Sequence, residues 1–177
     1  MGVPNLFNAE RVPLAYLITF RCYGTWLHGD ARGSVDRYHN QHAAPLLPPH
    51  KPWWQHNRRS LKHAPAELDE VQRVAVDVAI RATCALRGWE LRAVHVRTNH
   101  VHGIVSARCR PEPVLSACKA NATRQLKEAG CWPYEHSPWV DGGSKRYLWT
   151  ARSVDRAMDY VVNGQGGQLP DFNQGDR

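Results

Sequence analysis

His100 and His102 flank Val101 in an apolar stretch, and Tyr160 stands downstream in a segment of helical pattern. A strand sends alternate side chains to one face, so the two imidazoles project together while Val101 packs on the other side. Paired imidazoles can grip a divalent cation. A tyrosine brought beside such a cation could attack a phosphodiester, because the cation neutralises the phosphate and orients it as a Lewis acid. A phenol, with a pKa of about 10, leaves more readily than an alkoxide, so a covalent link to it can be reversed. That suits strand transfer, in which the bond energy must be kept. The run HVH is not HExxH and no general-base glutamate stands nearby, which excludes a zinc-protease reading.

Two histidines need further ligands. Asn163 and Gln165 lie just beyond Tyr160. On an ideal helix Asn163 shares the side of Tyr160, and Gln165 is turned about 140° away. Gly164 is expected to end the helix, which frees Gln165 from that geometry. An amide oxygen suits Mg²⁺ or Mn²⁺, which favour oxygen ligands. Arg156, one turn before Tyr160, is placed to steady a phosphate. Basic residues also stand among aromatics: Arg58 and Arg59 beside Trp53 and Trp54, Lys145 and Arg146 beside Tyr147 and Trp149. Lys119 and Arg124 fall on the exposed face expected of a helix. Such mixtures suit single-stranded nucleic acid, where bases stack and phosphates pair, although most of the tryptophans read as core or loop filling.

The elements that must position these groups follow from periodicity. Residues 14–23, LAYLITFRCY, are β-branched and aromatic and read as a strand, ended by the glycines and aspartate of GTWLHGDARGS. Residues 35–63 hold four prolines and no sustained period, and read as a long surface insertion. Residues 66–87 are a helix whose stripe is Leu68, Val71, Val74, Ala75, Val78 and Ala82, begun at Pro65 and ended at Gly88. Strands follow at 89–96 and 100–106, joined by Arg97-Thr98-Asn99. A helix over 113–129, a strand over 145–149 and a helix over 152–163, capped by Thr150 or Ser153, complete the order. In that last helix Val154, Ala157, Met158, Val161 and Val162 form the stripe, with Tyr160 at its border. The order β-α-β-β-α-β-α is α+β. Its first six elements match a ferredoxin-like split βαβ antiparallel sheet, and the seventh, carrying the tyrosine, is expected across the open face.

A length of 177 residues fits one domain, with a core over 14–168 and a loose tail over 169–177. The formal charge of +7 and pI near 9.4 point to an anionic partner, nucleic acid first. Cys22, Cys84, Cys109, Cys118 and Cys131 are odd in number and form no CxxC, which argues against a disulfide framework or zinc knuckle and for reduced thiols. No signal-like segment opens the chain and no apolar run approaches a membrane span, so a soluble, cytoplasmic protein is expected.

AVHVRTNHVHGIVSA together with RYLWTARSVDRAMDYVVNGQGG resembles the single-tyrosine, HUH-type transposases of the IS200/IS605 class, and most of all the relatives associated with repetitive extragenic palindromes (REP). ITFRCYGTWLHGD looks like that group's first strand and loop, so the resemblance spans about residues 14–168. It implies the HUH nuclease fold, often dimeric, with His100 and His102 as the metal-binding pair and Tyr160 as nucleophile. The implied activity is cleavage and rejoining of single-stranded DNA near a hairpin, through a 5′-phosphotyrosine and a free 3′-hydroxyl, in association with the nucleoid. In that family a glutamine one helical turn after the tyrosine completes the site. Here Gly164 holds that position and the amide lies at Gln165, the first candidate, with Asn163 second. The rival expectation is a non-catalytic, domesticated protein that binds hairpins or single strands. An RNA-binding ferredoxin-like domain fits less well, since HVHGIV stands where an aromatic stacking motif belongs.

Overall fold

In β1 (Ala15–Arg21) every residue but the last is buried. A strand covered on both faces loses the apolar-polar alternation of a half-exposed one. It pairs antiparallel with β3 (His100–Ser106) on one side and β4 (Ser144–Leu148) on the other. β2 (Glu90–Val96) adds outside β3, giving the order β2-β3-β1-β4. This is the expected split βαβ topology. These elements belong to a computed structural model, which describes residues 12–35 and 45–164.

Helices α2 (Glu70–Arg87) and α3 (Pro111–Glu128) cover one face of the sheet, and α4 (Ala151–Val162) lies on the other. Alternation in β1 divides the interior accordingly. Tyr16, Ile18 and Phe20 join Val76, Ile80, Val114 and Leu126 on the side of α2 and α3. Ala15 and Leu17 join Ile104, Leu148, Val154, Ala157 and Val161 under α4. A helix as short as α4 is marginal alone, since isolated helices below roughly 12–15 residues are barely stable in water. Burying each large apolar side chain is worth roughly 1.5–3 kcal/mol. Packing on the sheet therefore decides where α4, and its tyrosine, sits.

Two expectations are corrected. Within 35–63, read as a surface insertion with no sustained period, a helix forms, α1 (Lys51–Arg59). Pro52 falls in its first turn, where proline is tolerated, and the His50 ring accepts from the Trp53 amide at 3.1 Å. None of its residues is buried, so no apolar period betrays it. Residues 36–44 of that segment and the tail 169–177 lie outside the described residues.

The second correction concerns α2. It begins at Glu70 behind a reciprocal cap between Asp69 and Gln72 rather than at Pro65. Its buried side is Val76, Ala79, Ile80, Thr83 and Cys84, whereas Val71, Val74 and Val78 are 66%, 59% and 49% exposed. The packed side includes Thr83, whose hydroxyl donates to Ala79 O at 2.6 Å and accepts from Asn121 of α3. A stripe that mixes small and polar residues is easily passed over beside a row of valines. The described cysteines are all free, and no helix among the described residues is long and apolar enough to cross a membrane.

Candidate active site

The register of the sheet builds the site. Arg21 stands opposite His100 and Thr19 opposite His102, so all four side chains rise on the α4 face. Their rings confirm the alternation: His100 and His102 have centroids 4.6 Å apart, inclined at 78°. Tyr160, on the third turn of α4, meets His102 edge-on at 5.6 Å and 75°. The structure thus brings together the two histidines and the tyrosine that sequence spacing singled out.

Each imidazole is held through one nitrogen. His100 Nδ1 donates to Asn99 Oδ1 at 2.6 Å. His102 Nδ1 lies 2.8 Å from Thr19 Oγ1, a hydroxyl oxygen that can accept the Nδ1–H hydrogen bond. Tethering Nδ1 in this way leaves Nε2 of each ring with its lone pair. Both rings stay neutral. Burial, then Arg21, pushes His100 down to about 4, and burial, then His100 itself, pushes His102 down to about 3. His102 is only 5% exposed. Neutral imidazoles whose far nitrogen is hydrogen-bonded are the form that binds a cation, so these residues fit a divalent metal.

The third ligand is less well supplied. Among the described residues no group of three His, Cys, Asp or Glu could hold a metal. Gln165 lies outside the described residues. Asn163 caps α4, is exposed, and donates from its amide nitrogen to Asp159 Oδ1 at 2.9 Å. Gly164 packs against the nucleophile candidate instead: a Cβ there would stand 3.0 Å from Tyr160 Cα and 3.2 Å from its ring.

Several residues that spacing did not flag shape the site. Arg21 lies with its guanidinium carbon 3.6 Å over the Trp26 ring. Burial, with Arg32 nearby, pushes it down to about 10. Trp26 is itself fixed by donation to Gly33 O at 2.6 Å, and Asp30 holds Arg32 through both carboxylate oxygens. Burial raises the Tyr160 phenol, while Arg21, Arg146 and Arg97 pull it back. His95 Nδ1 reaches Val161 O at 3.1 Å, pinning the end of α4 to β2. The one signal in the sequence was the even spacing of Thr19 with Arg21, which became informative only once the pairing with β3 was known.

The expected DNA contacts divide. Arg146 joins the electrostatic surroundings of Tyr160, and Arg156 is half-buried on the same helix. Arg58 sits 5.4 Å over Trp54, and Arg59 is exposed at the end of α1. Arg124 approaches Glu128 at 3.7 Å, and Lys145 approaches Glu112 at 3.1 Å. Lys119 is a strut: its ammonium donates to Val140 O at 2.6 Å and Gly142 O at 3.0 Å.

No protein-family profile and no curated protein matches the chain. Among solved structures, a proposed transposase from Deinococcus radiodurans R1 aligns over 94% of this chain and 98% of its own, at 14% identity and a TM-score of 0.46. A REP-associated tyrosine transposase, bound to a REP hairpin, aligns over 85% of this chain and 65% of its own, at 12% identity and a TM-score of 0.48. Likenesses of this size leave the functional argument to the site itself.

Proposed function

We propose that this protein is a metal-dependent, single-tyrosine transposase that cleaves and rejoins single-stranded DNA near hairpins. The observation that carries the reading is the meeting of Tyr160 with the His102 ring, itself beside His100, with the Nδ1 atoms of both imidazoles engaged. His100 and His102 would hold Mg²⁺ or Mn²⁺, with Gln165 the first candidate for a third ligand. When bound, the cation supplies charge neutralisation and Lewis acidity at the phosphate.

The remaining work falls to the protein. The Tyr160 phenol oxygen attacks phosphorus, the bond from phosphorus to the 3′-oxygen breaks, and the phenol proton ends on that oxygen. The products are a 5′-phosphotyrosine and a 3′-hydroxyl; attack by a 3′-hydroxyl reverses the step and rejoins a strand. Arg21, with Arg97 and Arg146, favours the phenolate and the charge that builds on the phosphoryl oxygens. The reading carries with it a homodimer and a cytoplasmic, nucleoid-associated place of work.

The test is an adduct assay with hairpin-bearing single-stranded DNA and Mn²⁺. The native protein is expected to form a denaturation-resistant protein–DNA species, which Tyr160→Phe abolishes and chelation prevents. Salt-dependent binding with no adduct at any metal concentration would instead identify a non-catalytic hairpin binder.

A further inference from the structure

A second group of rings stands at the same end of β1, over the opposite face of the sheet. The histidine and tyrosine site leaves it unused. His136 lies between two partners: His63, parallel at 3.7 Å and 5°, and Tyr134, at 5.2 Å and 29°. Trp132 meets His136 edge-on at 5.7 Å, and Tyr23 tilts toward both histidines at 6.0 and 6.5 Å. His63 and Tyr134 are exposed. Beside the ladder opens a cavity of about 300 Å³, lined by Tyr23, His63 and His136 and edged by Ser137 and Asp141.

The ladder is held rigidly. Tyr23 OH accepts from the Lys62 amide at 3.0 Å, Trp132 Nε1 donates to His136 O at 2.8 Å, and Lys127 Nζ donates to Glu135 O at 3.0 Å. Yet among the described residues no protein group bonds the ring nitrogens of His63 or His136. Burial, His63 and Lys127 hold His136 below the usual imidazole range. A preformed, exposed stack of rings with a carboxylate at its edge is what a planar heterocycle with N–H donors would recognise.

We propose that this cavity is a stacking subsite for an unpaired nucleobase of the DNA strand cleaved at the histidine and tyrosine site. The base lies against the ladder, and Asp141 and Ser137 receive its N–H edge. The assignment rests on the reading of the chain as a DNA-processing enzyme, and the backbone supports the link. Tyr23 follows Arg21 by two residues, and its amide donates to Pro138 O at 2.8 Å. The Cys22 amide donates at 2.8 Å to the carbonyl of Asn99, whose side chain fixes His100. A strand leaving Tyr160 past the end of β1 would meet the ladder next.

Photocross-linking tests the subsite directly. Single-stranded DNA carrying 5-iododeoxyuridine at successive positions is irradiated with the full chain, and the linked peptides are read by mass spectrometry. Cross-links are expected at Tyr23, His63, Tyr134 or His136. His63→Ala combined with Tyr134→Ala should weaken binding by about tenfold or more, the scale of one lost base stack, and His63→Phe should preserve it. Deoxyguanosine monophosphate serves as the free-nucleotide arm: saturation as tight as the strand's would overturn the assignment to a strand. Unchanged binding in the double variant, with cross-links elsewhere while the native protein still forms the Tyr160 adduct, overturns the subsite and spares the function. Cross-links at the ladder without any adduct leave the subsite standing and sink the nuclease.

Discussion

Thr19 and Asn99 show how much of this site lies outside the residues that would do the chemistry. Each takes one nitrogen of a histidine and so decides which nitrogen faces outward. Removing such a support costs roughly 10–100-fold in metal affinity elsewhere. Thr19→Val is therefore expected to weaken Mn²⁺ binding by that order, read by titration calorimetry, with little change in fold. The histidines also make an acid-stability prediction for the metal-free protein. Their ordinary value is 6.5, and in the fold they are depressed to about 4 and about 3. Below 6.5 the unfolded chain takes up protons that the folded chain refuses, so stability is complete above 6.5 and drains away as pH falls through about 4 and on to about 3. Urea midpoints measured in chelator should follow that course, and His102→Asn should flatten it. The proximity of His100, His102 and Tyr160 was legible because strand alternation and helix position suffice to aim them. Arg21, Thr19 and Asn99 were not, because their places depend on which strand pairs with β1 and in what register.

The same division runs through the elements. α4 was legible to within a residue at each end, since its cap is a local signal: Thr150 and Ser153 satisfy one another's amides in a reciprocal cap, although Val162 of the expected stripe is 60% exposed. Thr150→Ala should lower stability by about 1 kcal/mol in chemical denaturation. Adduct formation should fall with it, because this cap anchors the helix that carries Tyr160. β3 was legible over its whole length, from His100 to Ser106. α1 was not, since it buries nothing and carries a proline in its first turn, and the packed side of α2 was misread because tertiary contact chose Thr83 and Cys84 over Val71, Val74 and Val78. A local pattern identifies a helix; which side it packs is set by its neighbours.

At the scale of the whole molecule, the two faces of the sheet divide the labour. One side carries the larger core, where burial pushes the Cys22 thiol up to about 12. Cys22, Cys84 and Cys118 are buried, and Cys109 and Cys131 are half-exposed. Alkylation of the native protein at neutral pH should therefore modify Cys109 and Cys131 first and leave the other three until unfolding, which peptide mapping will show. Five thiols labelled at equal rates would contradict this arrangement of the core. The pairing of Thr19 with His102 and Arg21 with His100 also bears on how such a chain can vary. A point insertion within Ala15–Arg21 would turn every later side chain of β1 over, sending a guanidinium in among the packed rings and an isoleucine or phenylalanine out beside the imidazoles. Side chains along β1 can be exchanged one at a time, whereas a change in its length must be absorbed by the connections or by a bulge to keep the imidazole face intact.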